Sequence, residues 1–125
     1  MNKLLIFGTL RRGQYNFNRF KFYGEQKYIE TIRLSGFDLY DLGHYPTVVK
    51  GEGEVTFEIH SVCDKILEII TDMEIGAGYK PIKIKVGDSD CTLYTMEKEY
   101  IDEGVVRGRP FPKIESGDWV AYQNK

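Results

Sequence analysis

The stretch KLLIFGTLRRGQYN, residues 3–16, decides how the chain begins to fold. It joins a short apolar strand to a loop bounded by Gly8 and Gly13, here called the glycine loop. Gly8 ends the strand with a sharp turn, because glycine adopts backbone conformations that other residues avoid. Gly8 and Gly13 have the spacing that opens the phosphate-binding motif G-x-x-x-x-G-K-S/T. Gln14 and Tyr15 stand where that motif needs lysine and a hydroxyl residue. We therefore predict that the loop binds no nucleotide.

The turn after this strand is still a candidate anion site. Successive backbone N–H groups that follow a strand-ending glycine form a concave surface, which suits a carboxylate as well as a phosphate. The alternative is a plain glycine turn that carries two solvated arginines. We expect Arg12 to be solvated, whereas the pattern is equally compatible with Arg11 in solvent or at the border of a pocket.

The rest of the chain has the pattern of an α+β protein that is rich in short strands. Alternation of apolar and polar residues predicts strands, because successive side chains in a strand point to opposite faces. The predicted strands cover residues 28–34, 37–42, 54–59, 79–86, 91–96 and 118–122. Ser35-Gly36 is interpreted as a bulge or bend, and residues 51–53 as a turn. The connections between most of these strands are too short to contain the helices that a parallel α/β fold needs. We therefore expect a small, strongly curved sheet or partial barrel.

One helix is predicted in the middle of the chain. Ser61 is a suitable N-cap, and Asp64 three residues later completes a pattern like a capping box. Apolar side chains recur at helical spacing and predict a stripe that packs inward. The stripe consists of Val62, Ile66, Ile69, Ile70 and Met73. Residues 76–78 are predicted to end the helix, and a short helix is also expected around residues 16–22.

Composition excludes several classes of function. The 125 residues suffice for one domain, which we expect to span residues 1–125, and 42% of them are apolar. The net charge is −2 and no basic block occurs, so nucleic acid is not expected as the main partner. No apolar run approaches the roughly 20 residues that span a bilayer. The N-terminal segment is too short for a secretory signal, and we expect a cytoplasmic protein without membrane contact.

The cysteines and histidines indicate neither a disulfide framework nor a metal site. Cys63 and Cys91 do not form a C-x-x-C pair, and we expect both to be reduced. His60 and Cys63 form one H-x-x-C pair, but a zinc site needs a second pair with similar spacing. Only His44 and Cys91 remain, so no metal is expected.

Glu74 is the candidate catalytic residue, because its position opposes local preference. It lies in the last turn of the predicted helix, where the negative end of the helix dipole disfavours a carboxylate. Asp72 adds repulsion, and Met73, Ile75 and Tyr79 supply apolar neighbours. These effects raise the pKa of a carboxyl group toward the range that is useful for a general base. The alternative is an exposed glutamate at a frayed helix end.

Several tyrosines and basic residues are interpreted as structural. Tyr40 and Tyr45 are expected to be packing residues rather than cavity residues. The segment 107–112, rich in arginine and proline, is interpreted as a surface connection rather than a cover over a pocket. Lys83 and Lys85 are predicted to lie on the solvent face of a strand.

Five segments, taken in order, resemble the motifs of one enzyme family. They are residues 7–16, 36–43 with Tyr45-Pro46, 53–55, 71–74 with Tyr79, and 116–119. The first is similar to the family's loop Y-G-S/T-L, extended to G-T-L-x-x-G-x-x-N, and the fourth reads TDME. Through these segments, which span nearly the whole chain, the protein resembles the gamma-glutamylcyclotransferase-like superfamily. The resemblance is to the small branch that includes gamma-glutamylamine cyclotransferases.

The resemblance implies an enzyme that cyclises a small gamma-glutamyl molecule to 5-oxoproline and releases a free amine. The family's catalytic acid and base maps to Glu74. The substrate-binding residues that it implies are Phe7, Gly8, Thr9, Leu10 and Tyr79. No metal, cofactor or covalent intermediate is needed, because one carboxyl group of raised pKa can move the proton in both steps. The implied fold is a small mixed barrel-like sheet with one main helix and short flanking helices.

Two positions depart from the family pattern, and two other functions stay open. Phe7 replaces the usual tyrosine, and Lys80-Pro81 follows Tyr79 where an arginine often lies nearby. These departures bear more on how the second half of the substrate would be bound than on the cyclisation reaction. The first alternative function is a non-catalytic small-molecule binding module on the same fold. The second is a partner-binding protein that uses an exposed aromatic surface.

Overall fold

The computed structural model describes residues 2–14 and 26–124. In chain order they form β1 (Asn2–Ile6), β2 (Gln26–Asp41), β3 (Pro46–Val62), α1 (Asp64–Gly76), β4 (Lys80–Val86), β5 (Ser89–Thr95), α2 (Lys98–Val106) and α3 (Trp119–Gln123). The predicted α+β class is confirmed. The helix predicted at residues 16–22 lies outside the described residues.

The strands of the described residues form one mixed sheet in the order β2-β3-β1-β5-β4. β1 lies parallel to β5 and antiparallel to β3, and the other neighbours pair antiparallel. The sheet is mixed as predicted, but β2 and β4 are edges, so the expected barrel-like closure is wrong for the described residues. Pro81, Lys83 and Lys85 are exposed on β4. These residue types protect a sheet edge from further pairing, and both lysines face solvent as predicted.

β2 and β3 form a long antiparallel hairpin that replaces several shorter predicted strands. The pairing register shifts between Ser35 and Phe37, which confirms the predicted bulge. The turn predicted at residues 51–53 is wrong, because β3 continues through it. The glycines of that segment instead let the Asp38 side chain approach the β3 backbone closely. The N–H of Gly53 donates to the Asp38 carboxylate at 3.0 Å.

α1 begins later than predicted, because the preceding strand is longer. Ser61 and Val62 belong to β3, where they pair with the start of β1. Cys63 occupies the N-cap without a side-chain hydrogen bond. The inward stripe is confirmed at its centre, since Ile66 and Ile70 are fully buried. An amphipathic helix gains most of its stability by burying such a stripe.

The strand predicted at residues 118–122 is wrong, because these residues form the N-cap and body of α3. The Asp118 carboxylate accepts from the N–H of Ala121 at 3.1 Å, as expected of an N-cap. Trp119 is 1% exposed, and its ring stacks on that of Tyr122 at 5.9 Å. Burial of this tryptophan holds the short helix against the rest of the protein.

α2 has no counterpart in the sequence prediction. Only Ile101 and Gly104 are buried along this helix, so its apolar stripe is thin. Residues 107–110 follow it and are exposed, as predicted for a surface connection. No helix within the described ranges is long and apolar enough to cross a membrane.

The core is built mainly from the three central strands, β3, β1 and β5. Their fully buried side chains include Leu4, Val48, Val55, Phe57, Val62, Cys91 and Leu93. The ring of Phe57 meets Phe7 and Phe37 edge-on, with centroid distances of 6.1 and 5.8 Å. Such pairs of rings are favourable beyond the area that they bury. This packing fixes the end of β1, where Phe7 leads into the glycine loop.

Candidate active site

A cavity of about 220 Å³ lies between the end of β1 and the last turn of α1. Its lining consists of Leu4, Leu5, Ile6, Phe7, Gly8, Thr9, Leu10, Tyr45, Pro46, Met73, Glu74, Ala77, Tyr79 and Tyr94. Every residue predicted for the site is among them, namely Glu74 and the set Phe7, Gly8, Thr9, Leu10 and Tyr79. The structure therefore brings two distant segments to one cavity. The roles of these residues stay predictions.

Glu74 is the only carboxylate among the lining residues that the structure describes. Burial raises the pKa of its carboxyl group from 4.5 to about 7, because the charged form loses water solvation. The last turn of α1 contains no basic residue that would oppose this shift. The group is thus poised to accept and return a proton at neutral pH.

The end of α1 places Glu74 and Tyr79 side by side. Gly78 has a φ of 98°, a left-handed conformation that ends the helix and reverses the chain. The carbonyl of Glu74 then accepts from the N–H of Tyr79 at 2.9 Å, and that of Ile75 accepts from Gly78 at 3.1 Å. This pair of bonds defines a Schellman motif. The glycine predicted to stop the helix therefore also brings Tyr79 back to the cavity.

The substitution Gly78→Ala is expected to destabilise the protein by about 1–2 kcal/mol, because a Cβ disfavours the left-handed conformation. The matched control is Gly76→Ala, two residues earlier, where a Cβ would have no neighbour within 4 Å. Alanine at this helical position is expected to add about 0.5–1 kcal/mol of stability. Urea denaturation measures both changes. Equal effects of the two substitutions would contradict the assigned role of Gly78.

Tyr79 forms a wall of the cavity, and its hydroxyl group holds the neighbouring loop. The hydroxyl donates to the carbonyl oxygen of Pro46 in a buried hydrogen bond. Burial, and then the nearby charge of Glu74, raise the pKa of the Tyr79 hydroxyl, so it stays protonated. Its ring lies 6.4 Å from Phe7 and 6.3 Å from Tyr45. Tyr79 is therefore suited to shaping the cavity rather than to transferring a proton.

The loop after β1 approaches Pro46 so closely that only glycine fits at its start. A Cβ at Gly8 would lie 2.8 Å from the Pro46 Cγ atom, well inside van der Waals contact. The carbonyl of Gly8 accepts from the N–H of Arg11 at 3.0 Å, which closes a tight turn. The backbone of Gly8, Thr9 and Leu10 consequently borders the cavity. The predicted strand-ending turn is confirmed.

Two tyrosines of the cavity are not found by sequence reasoning. Tyr45 is predicted to be a packing residue, but it lines the cavity and is 36% exposed. Tyr94 also lines the cavity, and its hydroxyl group is hydrogen-bonded to Thr71 at 2.6 Å. The alternation of side chains along β5 indicates on which face of the sheet Tyr94 lies. It does not indicate that the end of α1 packs opposite that face.

The residues that could hold a metal are dispersed. No group of three or more His, Cys, Asp or Glu suited to a metal ion occurs within residues 2–14 and 26–124. His60, from the H-x-x-C pair, is fully buried, and its Nε2 atom lies 2.9 Å from a Glu58 carboxylate oxygen.

Comparison with known proteins identifies the family. The chain matches the family model described as "Gamma-glutamyl cyclotransferase, AIG2-like" over residues 4–121. The chain belongs to this family. A Pyrococcus horikoshii protein that carries a provisional gamma-glutamylcyclotransferase name is 33% identical over 120 residues, which are 94% of this chain and 90% of that protein. An Escherichia coli protein named as a gamma-glutamylcyclotransferase family protein is 27% identical over 94% of this chain and 96% of its own length.

Solved structures of other proteins share this fold. The crystal structure of the Pyrococcus horikoshii protein superposes with a TM-score of 0.76 at 24% identity, covering 99% of this chain and 94% of that one. An AIG2-like protein from mouse superposes with a TM-score of 0.71 at 26% identity, covering 92% and 86%. The family fold is thus shared over nearly the full length of this chain.

Proposed function

We propose that this family member is a cyclotransferase that converts a gamma-glutamyl amine or amide into 5-oxoproline and a free amine. Glu74 acts as the general acid and base. The observation that supports this most is a single carboxyl group with a pKa of about 7 in a cavity that is otherwise lined by apolar and aromatic residues and by the glycine loop. The cavity contains no second carboxylate among its described lining residues, so the proton transfers are assigned to this one group.

The reaction exchanges one carbon–nitrogen bond for another, and proton transfers accompany each stage. The alpha-ammonium group of the substrate gives a proton to the Glu74 carboxylate, and the free amine attacks the side-chain amide carbonyl of the same gamma-glutamyl residue. A five-membered ring forms with a tetrahedral oxyanion and a ring nitrogen that carries two hydrogens. Protonated Glu74 gives its proton to the leaving nitrogen, and the bond from that nitrogen to carbon breaks as the oxyanion collapses. The Glu74 carboxylate then takes the second proton of the ring nitrogen and passes it to the released amine, which leaves as an ammonium ion. A pKa near neutrality allows one group to serve all of these transfers.

The glycine loop supplies the seat for the substrate in this proposal. The backbone of Gly8, Thr9 and Leu10 borders the same cavity as Glu74. Backbone N–H groups in a tight turn bind a carboxylate or a developing oxyanion without reorganising during the reaction. Because nucleophile and carbonyl belong to one molecule, holding the substrate folded is itself a large part of the catalysis.

The direct test is a screen for 5-oxoproline release. The purified protein is incubated with gamma-glutamyl-lysine, gamma-glutamyl dipeptides and glutathione, and 5-oxoproline is separated by chromatography. Release from at least one compound supports the proposal. Binding of a gamma-glutamyl compound without release from any of them would overturn it and leave a binding module on the same fold.

The pH dependence of activity is expected to follow the Glu74 carboxyl group. The base must be ionised in the free enzyme, so kcat/KM should rise about tenfold per pH unit below neutrality and level off above it. The midpoint should lie near the pKa of about 7 that burial gives this group. Initial rates between pH 5 and 8.5 at low substrate concentration measure the profile. A midpoint near the ordinary glutamate value of 4.5 would contradict the assignment.

A further inference from the structure

Arg11 directly follows the residues that line the cavity, but its side chain contacts other parts of the protein. It is 7% exposed and is not among the cavity-lining residues. Its Nε atom donates to Glu58 Oε2 at 2.9 Å, and its Nη1 atom donates to Asp118 Oδ1 at 2.7 Å. A guanidinium group presents its donors in a fixed planar fork, so separate nitrogen atoms of one side chain bind two carboxylates in a defined geometry. Arg11 thus links the loop to β3 and to the start of α3.

Asp118 is held in place from both sides. Gly117, just before it, has a φ of 68°, and its carbonyl accepts from the N–H of Thr56 on β3 at 2.7 Å. A Cβ at Gly117 would clash with the carbonyl oxygen of Glu54, so the segment lies directly against that strand. On the other side, the Asp118 carboxylate caps α3 through Ala121. The acceptor that Arg11 reaches is therefore fixed by backbone contacts and not by Arg11 alone.

Glu58 is an equally fixed acceptor on β3. Its Oε1 atom accepts from the backbone N–H of Arg12 at 2.9 Å and lies 2.9 Å from His60 Nε2. The loop is therefore attached to this strand through the Arg11 side chain and through the Arg12 backbone, and the Arg12 Nε atom lies 3.5 Å from Glu58 Oε1. These attachments come directly after the residues at the cavity wall.

We propose that Arg11 is a positioning residue, which holds the backbone of Gly8–Leu10 at the cavity wall by bridging Glu58 and Asp118. The proposal rests on the proposed function, because only there is this loop the substrate seat, and it assigns the loop N–H groups to the substrate carboxylate rather than to the oxyanion. A buried guanidinium is strongly unfavourable without its partners. If Asp118 lost its charge, loop conformations that release Arg11 to solvent would compete with the present one. Residues 116–119, which resemble a family motif but lie outside the cavity lining, acquire a role at the site in this way.

The test uses two variants that disturb the bridge while leaving each local structure intact. Asp118→Asn removes the charge that Arg11 needs, yet asparagine remains a good N-cap for α3. Arg11→Lys keeps the positive charge but lacks the planar fork whose Nε and Nη1 atoms bind the two carboxylates. The control is Arg107→Met, since the Arg107 side chain is exposed and its ion pair, with Glu103 at 3.7 Å, involves neither Glu58 nor Asp118.

The first measurement is amide hydrogen exchange on the free protein. The amides of residues 11 and 12 are both hydrogen-bonded, and we expect them to exchange at least about tenfold faster in Asp118→Asn and Arg11→Lys. The amides of Leu67 and Ile70 in α1, of which the first donates to the Cys63 carbonyl at 3.0 Å, serve as a reference and should not change. The control should match the parent protein at all four positions.

The second measurement is steady-state release of 5-oxoproline. We expect the two variants to raise KM about tenfold, with kcat within about twofold and the midpoint of the pH profile unchanged. Unchanged loop exchange and KM in both variants would overturn the proposal, as would a fall in kcat at constant KM, which indicates only a smaller folded fraction. If the parent protein releases no 5-oxoproline, the proposed function fails. Loop exchange then decides by itself whether Arg11 holds the loop.

Discussion

The variant Glu74→Gln is expected to release 5-oxoproline about a thousandfold more slowly than the parent protein, since general acid and base catalysis contributes on this order. Glutamine has nearly the same size and fits the half-buried position at the end of α1. It can neither accept the proton of the alpha-ammonium group nor give one to the leaving nitrogen. The cavity wall and the glycine loop are unchanged, so substrate binding should be retained. Product chromatography measures turnover, and isothermal titration calorimetry measures binding.

Glu68→Gln is the matched control for this experiment, because Glu68 lies on the same helix and is exposed. It should turn over substrate at the parent rate. A Glu74→Gln variant with parental turnover would show that the proton passes through another group. A variant that loses binding as well as turnover would show that Glu74 holds the substrate, and would require a different assignment of its role.

The main parts of the cavity are predictable from sequence because their signals are local. Glu74 stands out by its place at the negative end of a helix dipole, and Gly78 by following the last helical residues. Gly8 is recognisable because it ends an apolar strand. Each signal depends on a few neighbouring residues, so an error in the start of the helix or in the length of a strand does not affect it.

The contacts of Arg11 and the form of the C-terminal segment could not be predicted in the same way. Arg11 meets Glu58 and Asp118, which are 47 and 107 residues away in the chain. Nothing near Arg11 in the sequence distinguishes a buried arginine from a solvated one. Residues 118–122 are a short run rich in apolar and aromatic residues, and five residues are too few for periodicity to separate a strand from a helix. Their helical form follows from the cap at Asp118 and the burial of Trp119.

The variant Glu58→Met is expected to lower the free energy of unfolding by about 3–5 kcal/mol, which is the usual cost of removing one partner from a buried ion pair. Burial alone would raise the pKa of the Glu58 carboxyl group, but hydrogen bonds from His60, the Arg12 backbone and Arg11 outweigh it and lower that pKa to about 2. The carboxylate is therefore charged at neutral pH and can only accept hydrogen bonds. Methionine would leave all of these donors without this acceptor.

Two comparisons separate this cost from the general effect of changing a residue on β3. Glu54→Gln removes a carboxylate whose ion pair with Arg33 is exposed and spans 3.9 Å, so the loss should stay below about 1 kcal/mol.

The double variant Glu58→Met/Arg11→Met removes both buried charges. It should be more stable than Glu58→Met alone, because the penalty comes mainly from the buried guanidinium left with only one of its two carboxylate partners. Urea denaturation at pH 7 measures all three variants. A double variant whose loss is the sum of the two single losses would show that Arg11 and Glu58 act independently, and the loop would then need another anchor.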